Sequence, residues 1–241
     1  MTWESWRGTR HPLQAASKGE RVVIIGTGEN GAIAFEYFSY DSPHEVVAFS
    51  AEASFITSDA YCGLPVVPFE ELAKAYPPED YRAFVAVSDI QLNRVRQRLY
   101  QAVKAAGFDC VSCVSSHAFI LRTAEIGENA FIQENVAVQH GCRVGENVFL
   151  GSGTCVGHGS TVEDDCYAGP HAVICGGCTV RRGTFLGANS CISACVTVAE
   201  DCLIGASAVV LKDTEPGRVY VGSPARPTSR DSYVTSGVTV G

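Results

Sequence analysis

The chain has 241 residues, a net charge of −8 and 46% hydrophobic residues, a length that accommodates two modest domains. The acidic balance and the scarcity of basic clusters argue against nucleic acid as the main partner, and no run of 18 apolar residues is present to span a membrane. The first twenty residues lack the apolar core of a signal peptide, so they read as a tail or short arm of a cytoplasmic protein whose eleven cysteines stay reduced.

Residues 21 to 116 alternate between strand and helix patterns. Arg21 to Gly26 is a continuous apolar run, the mark of a strand buried on both faces. A tight turn follows at Gly26-Thr27-Gly28-Glu29-Asn30-Gly31, then a helix from Ala32 to Tyr40. Glu45–Ser50, Leu64–Val67 and Arg82–Ser88 read as strands, with a short helix at Phe69–Tyr76. An amphipathic helix runs from Ile90 to Ala106 and ends at Gly107, a C-cap residue. Cys110 to Val114 reads as a last strand. Together these predict a small α/β domain with a parallel sheet. The turn matches GxGxxG, and bare N–H groups at a helix start suit a phosphate. About ninety-five residues is short for a full dinucleotide domain, so a smaller nucleotide ligand fits better; a purely structural glycine turn is the alternative.

From Ile120 to Val210 an aliphatic residue returns every sixth position, with Ala168 the one substitute. Neither the helical period of 3.6 nor the strand period of 2 keeps that count. A six-residue period sustained over some ninety residues predicts a left-handed parallel β-helix, three hexapeptides per triangular coil of eighteen. The position two before each slot is small or β-branched, which suits a sharply bent corner. Cys142, Cys166, Cys178 and Cys202 fall there and need no metal or disulfide. Glycine often follows the slot (Gly127, Gly145, Gly151, Gly157, Gly169, Gly187, Gly205), read as a turn position of unusual φ. The pairs Cys110–Cys113 and Cys175–Cys178 are CxxC but lack a second pair at finger spacing, so no metal is expected.

The small α/β domain, the glycine turn and the coils resemble the sialic acid O-acetyltransferase/bacillosamine acetyltransferase type of sugar N-acyltransferase. Gly157-His158, Phe185-Leu186-Gly187-Ala188-Asn189-Ser190 and the ending Val221-Gly222-Ser223-Pro224-Ala225-Arg226 carry the likeness, which covers residues 21 to 227. The division is then a tail (1–20), a nucleotide-sugar-binding domain (21–116), an acyltransferase prism (117–227) and a C-terminal tail (228–241), the last expected to be loose or to pack on a neighbour. The resemblance implies a homotrimer that takes acetyl-CoA between neighbouring prisms and acylates a nucleotide-linked amino sugar, a 4-amino-4,6-dideoxy sugar, for polysaccharide or glycoprotein synthesis. It places a general base at His158. Imidazole titrates near neutrality and can take the proton an attacking amine must lose. It places nucleotide-sugar contacts at Gly28, Glu29, Asn30, Glu52 and Asn93, and acyl-CoA contacts at Tyr167, Gly176, Ala188, Gly205 and Ala206.

The chain also departs from that pattern. Gly159 stands where an acidic or amide residue usually follows the base, Gly151 where Asn is frequent, and Ser50-Ala51-Glu52 where an Asp pair ends the second strand. Asp164 or Asp165 is the expected substitute for orienting the imidazole. His11, His44 and His117 read as tail, loop and link residues. His140 and His158 are one coil apart and should stack on one corner. Three alternatives stay open: sugar O-acetylation, a carbonic-anhydrase-like zinc site using His140, His158 or His171 across a trimer, and a non-catalytic scaffold.

Overall fold

A computed structural model describes residues 19–238. His11 and nearly all of the expected N-terminal tail lie outside the described residues. The α/β domain is built from β1 (Arg21–Ile25), α1 (Glu29–Asp41), β2 (Glu45–Ala51), β3 (Ala60–Tyr61), β4 (Leu64–Pro68), α2 (Leu72–Ala75), β5 (Arg82–Val85) and α3 (Arg94–Ala105). Its sheet order is β3-β4-β2-β1-β5. All pairings are parallel except β3–β4, a hairpin too short to leave a sequence pattern. Helix α1 starts three residues earlier than expected because Gly28 serves as its N-cap. Helix α3 starts four residues later, because Gln91, Leu92 and Asn93 all have positive φ. Gly107 ends α3 with φ +90. Phe108 N–H reaches back to Val103 (3.3 Å) and Gly107 N–H to Lys104 (3.0 Å), a Schellman-type close.

Seventeen two-residue strands follow, β6 (Cys113–Val114) through β22 (Val209–Val210), one per hexapeptide. Cys113–Val114 pairs with Phe131–Ile132, so the coil begins one hexapeptide earlier than the sequence reading set it. Cys110 forms only an isolated bridge to Ala83. The strands stack into three parallel faces, the left-handed parallel β-helix. The aliphatic slots fill its axis; all are buried except Ile126, which is half-buried.

Two rules of the coil emerge that the period alone did not state. First, every position three after a slot, from Asn129 to Ser207, has positive φ. Asn, Asp and Gly dominate there because they tolerate the left-handed region. Second, the glycines directly after the slot have ordinary φ, contrary to expectation. Their missing Cβ is explained by the coil above: a methyl on Gly157 would lie 2.6 Å from the carbonyl carbon of Cys175, and one on Gly187 would lie 2.5 Å from Ala206 N.

The small inward position is also polar by design. The Cys142, Cys166 and Cys178 thiols donate to the carbonyls of Gly157 (3.0 Å), Arg181 (3.1 Å) and Ser193 (3.1 Å). Thr154, Ser160 and Thr184 hydroxyls do the same to Gly169, Cys175 and Ala199. In each case the acceptor is fifteen residues on. A thiol here replaces a hydroxyl, and all eleven cysteines are free.

The C-terminal segment carries its own regular structure. β23 (Arg218–Val221) pairs with Leu203–Ile204, and β24 (Arg226–Asp231) returns antiparallel to it. A single turn, α4 (Ser232–Thr235), buries Ser232 against the Asp201 carbonyl (2.6 Å). Residues 228–238 of the expected tail are thus regular structure laid on their own chain rather than loose. The turn from Gly222 to Ala225, with a cis Ser223–Pro224 bond, closes over β22 through Val209 N to Gly222 O (3.0 Å) and Ala225 N to Val209 O (2.6 Å). No described helix is long and apolar enough to cross a membrane.

Candidate functional site

The three faces meet at three corners. The face holding Ala137, Cys155, Val173 and Cys191 turns into the face holding Arg143, Thr161 and Thr179 at a histidine corner. That second face turns into the one holding Phe131, Phe149, Tyr167 and Phe185 at a seam corner. The third corner returns to the start.

At the histidine corner the backbone of His158 is held from both sides. Its N–H donates to Gln139 Oε1 (3.0 Å), and its carbonyl accepts from Gly177 N (2.9 Å). The side chain is exposed and its ring lies over Gly176; a methyl on Gly176 would sit 2.5 Å from Cε1. Gly176 therefore leaves the space that the imidazole occupies. His140 stacks below through Gly159 N to His140 O (2.9 Å), but its ring turns away, with Nδ1 3.0 Å from Thr123 Oγ1. His171 is on the third corner, with φ +58. One chain does not gather the three histidines, and among the described residues no group of three or more His, Cys, Asp or Glu could hold a metal.

Asp164 and Asp165 do not orient His158. Both are at the seam corner. Asp164 accepts from Arg182 (2.9 Å) and from Glu146 N (2.9 Å). Asp165 accepts from Asn147 (2.8 Å) and Gln97 (2.7 Å), and burial raises its carboxyl above the usual range. Asp165 ends a buried ladder in which Asn129 Nδ2 donates to Asn147 Oδ1 (2.8 Å) and Asn129 Oδ1 accepts from Val85 N (2.7 Å). Arg96, fully buried, donates to Asn129 O (2.8 Å). This ladder, with Tyr37 and Phe84 packed on Phe131 and Phe38 behind Phe84, fixes the α/β domain to the prism.

The glycine turn sits at the carboxyl end of β1, between β2 and β5, where the chain switches direction across the sheet. Such switch points open a ligand crevice. Gly26 is required by φ +126 and by the Ala86 carbonyl oxygen, which would lie 2.7 Å from an added methyl. Gly28 is open, and no side chain caps the first N–H groups of α1. Glu29 is exposed and Asn30 half-buried beside it. Tyr61 donates to Gly28 O (3.1 Å). Glu52 is engaged with Arg98 through two bonds of 2.9 Å, which hold its carboxyl below the usual range. Asn93 is buried at the domain seam, its Nδ2 on Asp165 O (2.8 Å) and its Oδ1 unpartnered. Sequence reasoning missed Tyr61 and Arg98, which come from the short hairpin and from mid-helix.

The residues matched to acyl-CoA divide. Gly176 is with His158. Ala188, Gly205 and Ala206 lie along the third corner. Tyr167 is on the face under the α/β domain, stacked between Phe149 (4.4 Å) and Phe185 (5.0 Å), and burial raises its phenol pKa. That face is opposite the histidine corner of the same prism.

A family model described as bacterial transferase hexapeptide (six repeats) matches residues 123–158. No curated protein matches in sequence. Among solved structures, a histidine-to-asparagine mutant of perosamine N-acetyltransferase from Caulobacter crescentus, in complex with CoA and GDP-perosamine, is 27% identical with a TM-score of 0.80; the match covers 89% of this chain and 99% of that one. The acetyltransferase domain of PglB from Neisseria gonorrhoeae, in complex with acetyl coenzyme A, is 23% identical with a TM-score of 0.78, covering 87% and 100%. WeeI from Acinetobacter baumannii is 19% identical with a TM-score of 0.75, covering 87% and 100%. The last two show the shared fold. In repeat and in fold the chain resembles the hexapeptide acyltransferase class. Within that class its likeness is to the nucleotide-amino-sugar N-acetyltransferases, matched over both domains.

Proposed function

We propose that the chain transfers an acetyl group from acetyl-CoA to the amine of a nucleotide-linked amino sugar, of the 4-amino-4,6-dideoxy class, with His158 as general base. The observation that carries this is the likeness over both domains to an enzyme crystallised with CoA and GDP-perosamine. The nucleotide diphosphate lies at the glycine turn, against the bare N–H groups of α1. The sugar amine attacks the thioester carbonyl. The N–C bond forms as the C–S bond breaks, His158 takes the ammonium proton, and the CoA thiolate leaves and is protonated. No covalent enzyme intermediate is needed.

The three faces of the prism support a homotrimer. One face is covered by the α/β domain. A second is polar outside, with Glu125, Arg143, Thr161, Thr179 and Thr197, and Glu125 pairs with Arg143 at 3.0 Å. The remaining face presents Phe119, Ala137, Cys155, Val173, Cys191 and Val209. Phe119 is 67% and Val173 37% exposed, and a face without charge calls for a partner. Packing it about a threefold axis sets the histidine corner of one copy beside the third corner of the next. His158 and Gly176 then face Ala188, Gly205 and Ala206 across one groove, which is where acetyl-CoA is taken.

The test is a thiol-release assay with acetyl-CoA and a panel of nucleotide amino sugars. His158→Ala should lower turnover by about 10²-fold or more with the oligomer intact. Near-normal turnover in that variant would overturn the role given to His158.

A further inference from the structure

We infer that Gln139 is the positioning residue of His158, setting the place of the imidazole through the main chain. This rests on the reading of His158 as general base. The hold is one case of a brace built into the coils. A side-chain oxygen directly after an aliphatic slot accepts from the backbone N–H nineteen residues on, in the coil above. Gln133 Oε1 takes Ser152 N (3.1 Å), Gln139 Oε1 takes His158 N (3.0 Å) and Glu163 Oε2 takes Arg182 N (3.1 Å). These braces fall on the third, histidine and seam corners in turn. Each gives a partner to a corner N–H. A glycine after the slot cannot brace; after Gly151 the residue nineteen on is Pro170, which has no N–H to offer.

Two features set the brace at His158 apart. The first is that no other polar contact among the described residues steers the ring. The side chain is exposed, and no hydrogen bond among the described residues reaches either ring nitrogen. His140, one coil below, differs: its Nδ1 lies 3.0 Å from Thr123 Oγ1. Gly159 follows His158 with φ +65 and brings no side chain. A base must keep a ring nitrogen free for the incoming proton. Here that freedom is kept by anchoring the backbone instead. Gln139 holds the His158 N–H, Gly177 N holds its carbonyl (2.9 Å), and the ring lies in the space left by Gly176.

The second feature is that the Gln139 amide is itself fixed. Its backbone N–H donates to Val156 O (3.0 Å), and its side chain is half-buried. Nε2 donates to Cys155 Sγ at 4.0 Å. With a sulfur acceptor on one side and an N–H on the other, the amide has one orientation that satisfies both ends. A shift at residue 139 therefore passes directly to the backbone of His158.

Gln139→Leu, similar in size but with no acceptor, should lower kcat by about tenfold or more and leave KM for acetyl-CoA and for the amino sugar in place. Gln139→Glu keeps the acceptor oxygen and should return most of that loss. Glu163→Leu removes the same brace from the seam corner and should keep the parent kcat. In a His158→Ala background, Gln139→Leu should bring no further loss, because the two act through one group. Parent-like kcat in Gln139→Leu, a raised KM with kcat unchanged, no recovery in Gln139→Glu, an equal loss in Glu163→Leu, or a further loss in the His158→Ala background would each overturn the positioning role and leave the base in place. A His158→Ala variant as fast as the parent overturns the base, and the positioning role with it.

Discussion

Two glycines on one corner make opposite demands on a side chain. A methyl on Gly157 meets the backbone of the next coil at 2.6 Å, whereas one on Gly176 meets the end of the His158 imidazole at 2.5 Å. Backbone in a stacked coil cannot yield without spreading the coils; an exposed ring can swing away. Gly157→Ala should therefore destabilise the prism by about 1–3 kcal/mol, seen as a lowered midpoint in denaturant. Gly176→Ala should leave that midpoint in place and lower turnover by about tenfold or more, because a base displaced by an ångström loses its reach. Equal stability losses in the two variants would contradict the geometry. The glycine pattern was visible in the sequence, but its cause was not. Six-residue spacing reports which way a side chain points, while the approach of a backbone eighteen residues away appears only once the coils are stacked.

At the scale of elements, the attachment of α1 to the first coil turns on Asp41. Its carboxylate accepts from the Ser115 hydroxyl (2.7 Å) and Ser116 N (2.9 Å), and Tyr37 on the same helix donates to Glu134. Burial pushes the Asp41 carboxyl up, but the Ser116 and Ser115 bonds outweigh it and hold the group below its ordinary value. A carboxyl depressed in the folded state adds stability above its unfolded pKa and loses it as pH falls through the folded one. Asp41→Ala should thus cost about 1–2 kcal/mol at pH 7, and parent and variant melts should converge below about pH 4. A gap that stays constant from pH 7 to pH 3 would rule out the charged contact as its source. The strands and helices of the α/β domain could be read from apolar runs and turn residues, because each is decided locally. The seam could not. Asn129, Asn147 and Asp165 recur at eighteen-residue intervals, a signal present in the sequence, yet their partners Val85, Arg96 and Gln97 come from another domain. Nothing in residues 88–93 announces three consecutive left-handed conformations either, so the start of α3 and the burial of Asn93 had to be seen in three dimensions.

For the whole molecule, the decisive relation is that His158 and the glycine turn lie on opposite sides of one prism. The α/β domain covers the face that bears Phe131, Phe149 and Tyr167, and the histidine corner is the edge opposite that face. Under the proposed reading, a sugar held at Gly28 of one copy meets His158 of another, and the uncharged face with Phe119 and Val173 is the surface proposed to bring the two together. Two variants that are each inactive should then complement one another. His158→Ala lacks the base but keeps the turn. A bulky, acidic substitution at the open turn position, Gly28→Glu, repels the diphosphate but keeps the base. Coexpressed in equal amounts and assembled at random, a site is competent when a His158→Ala copy supplies the turn and a Gly28→Glu copy supplies the base. That combination occurs at about one quarter of sites in a cyclic oligomer. Turnover near a quarter of the parent value is expected from the mixture, against the residual rate of either variant alone. Mixed oligomers that regain nothing would mean that base and turn act within a single chain, and the threefold arrangement would have to be abandoned.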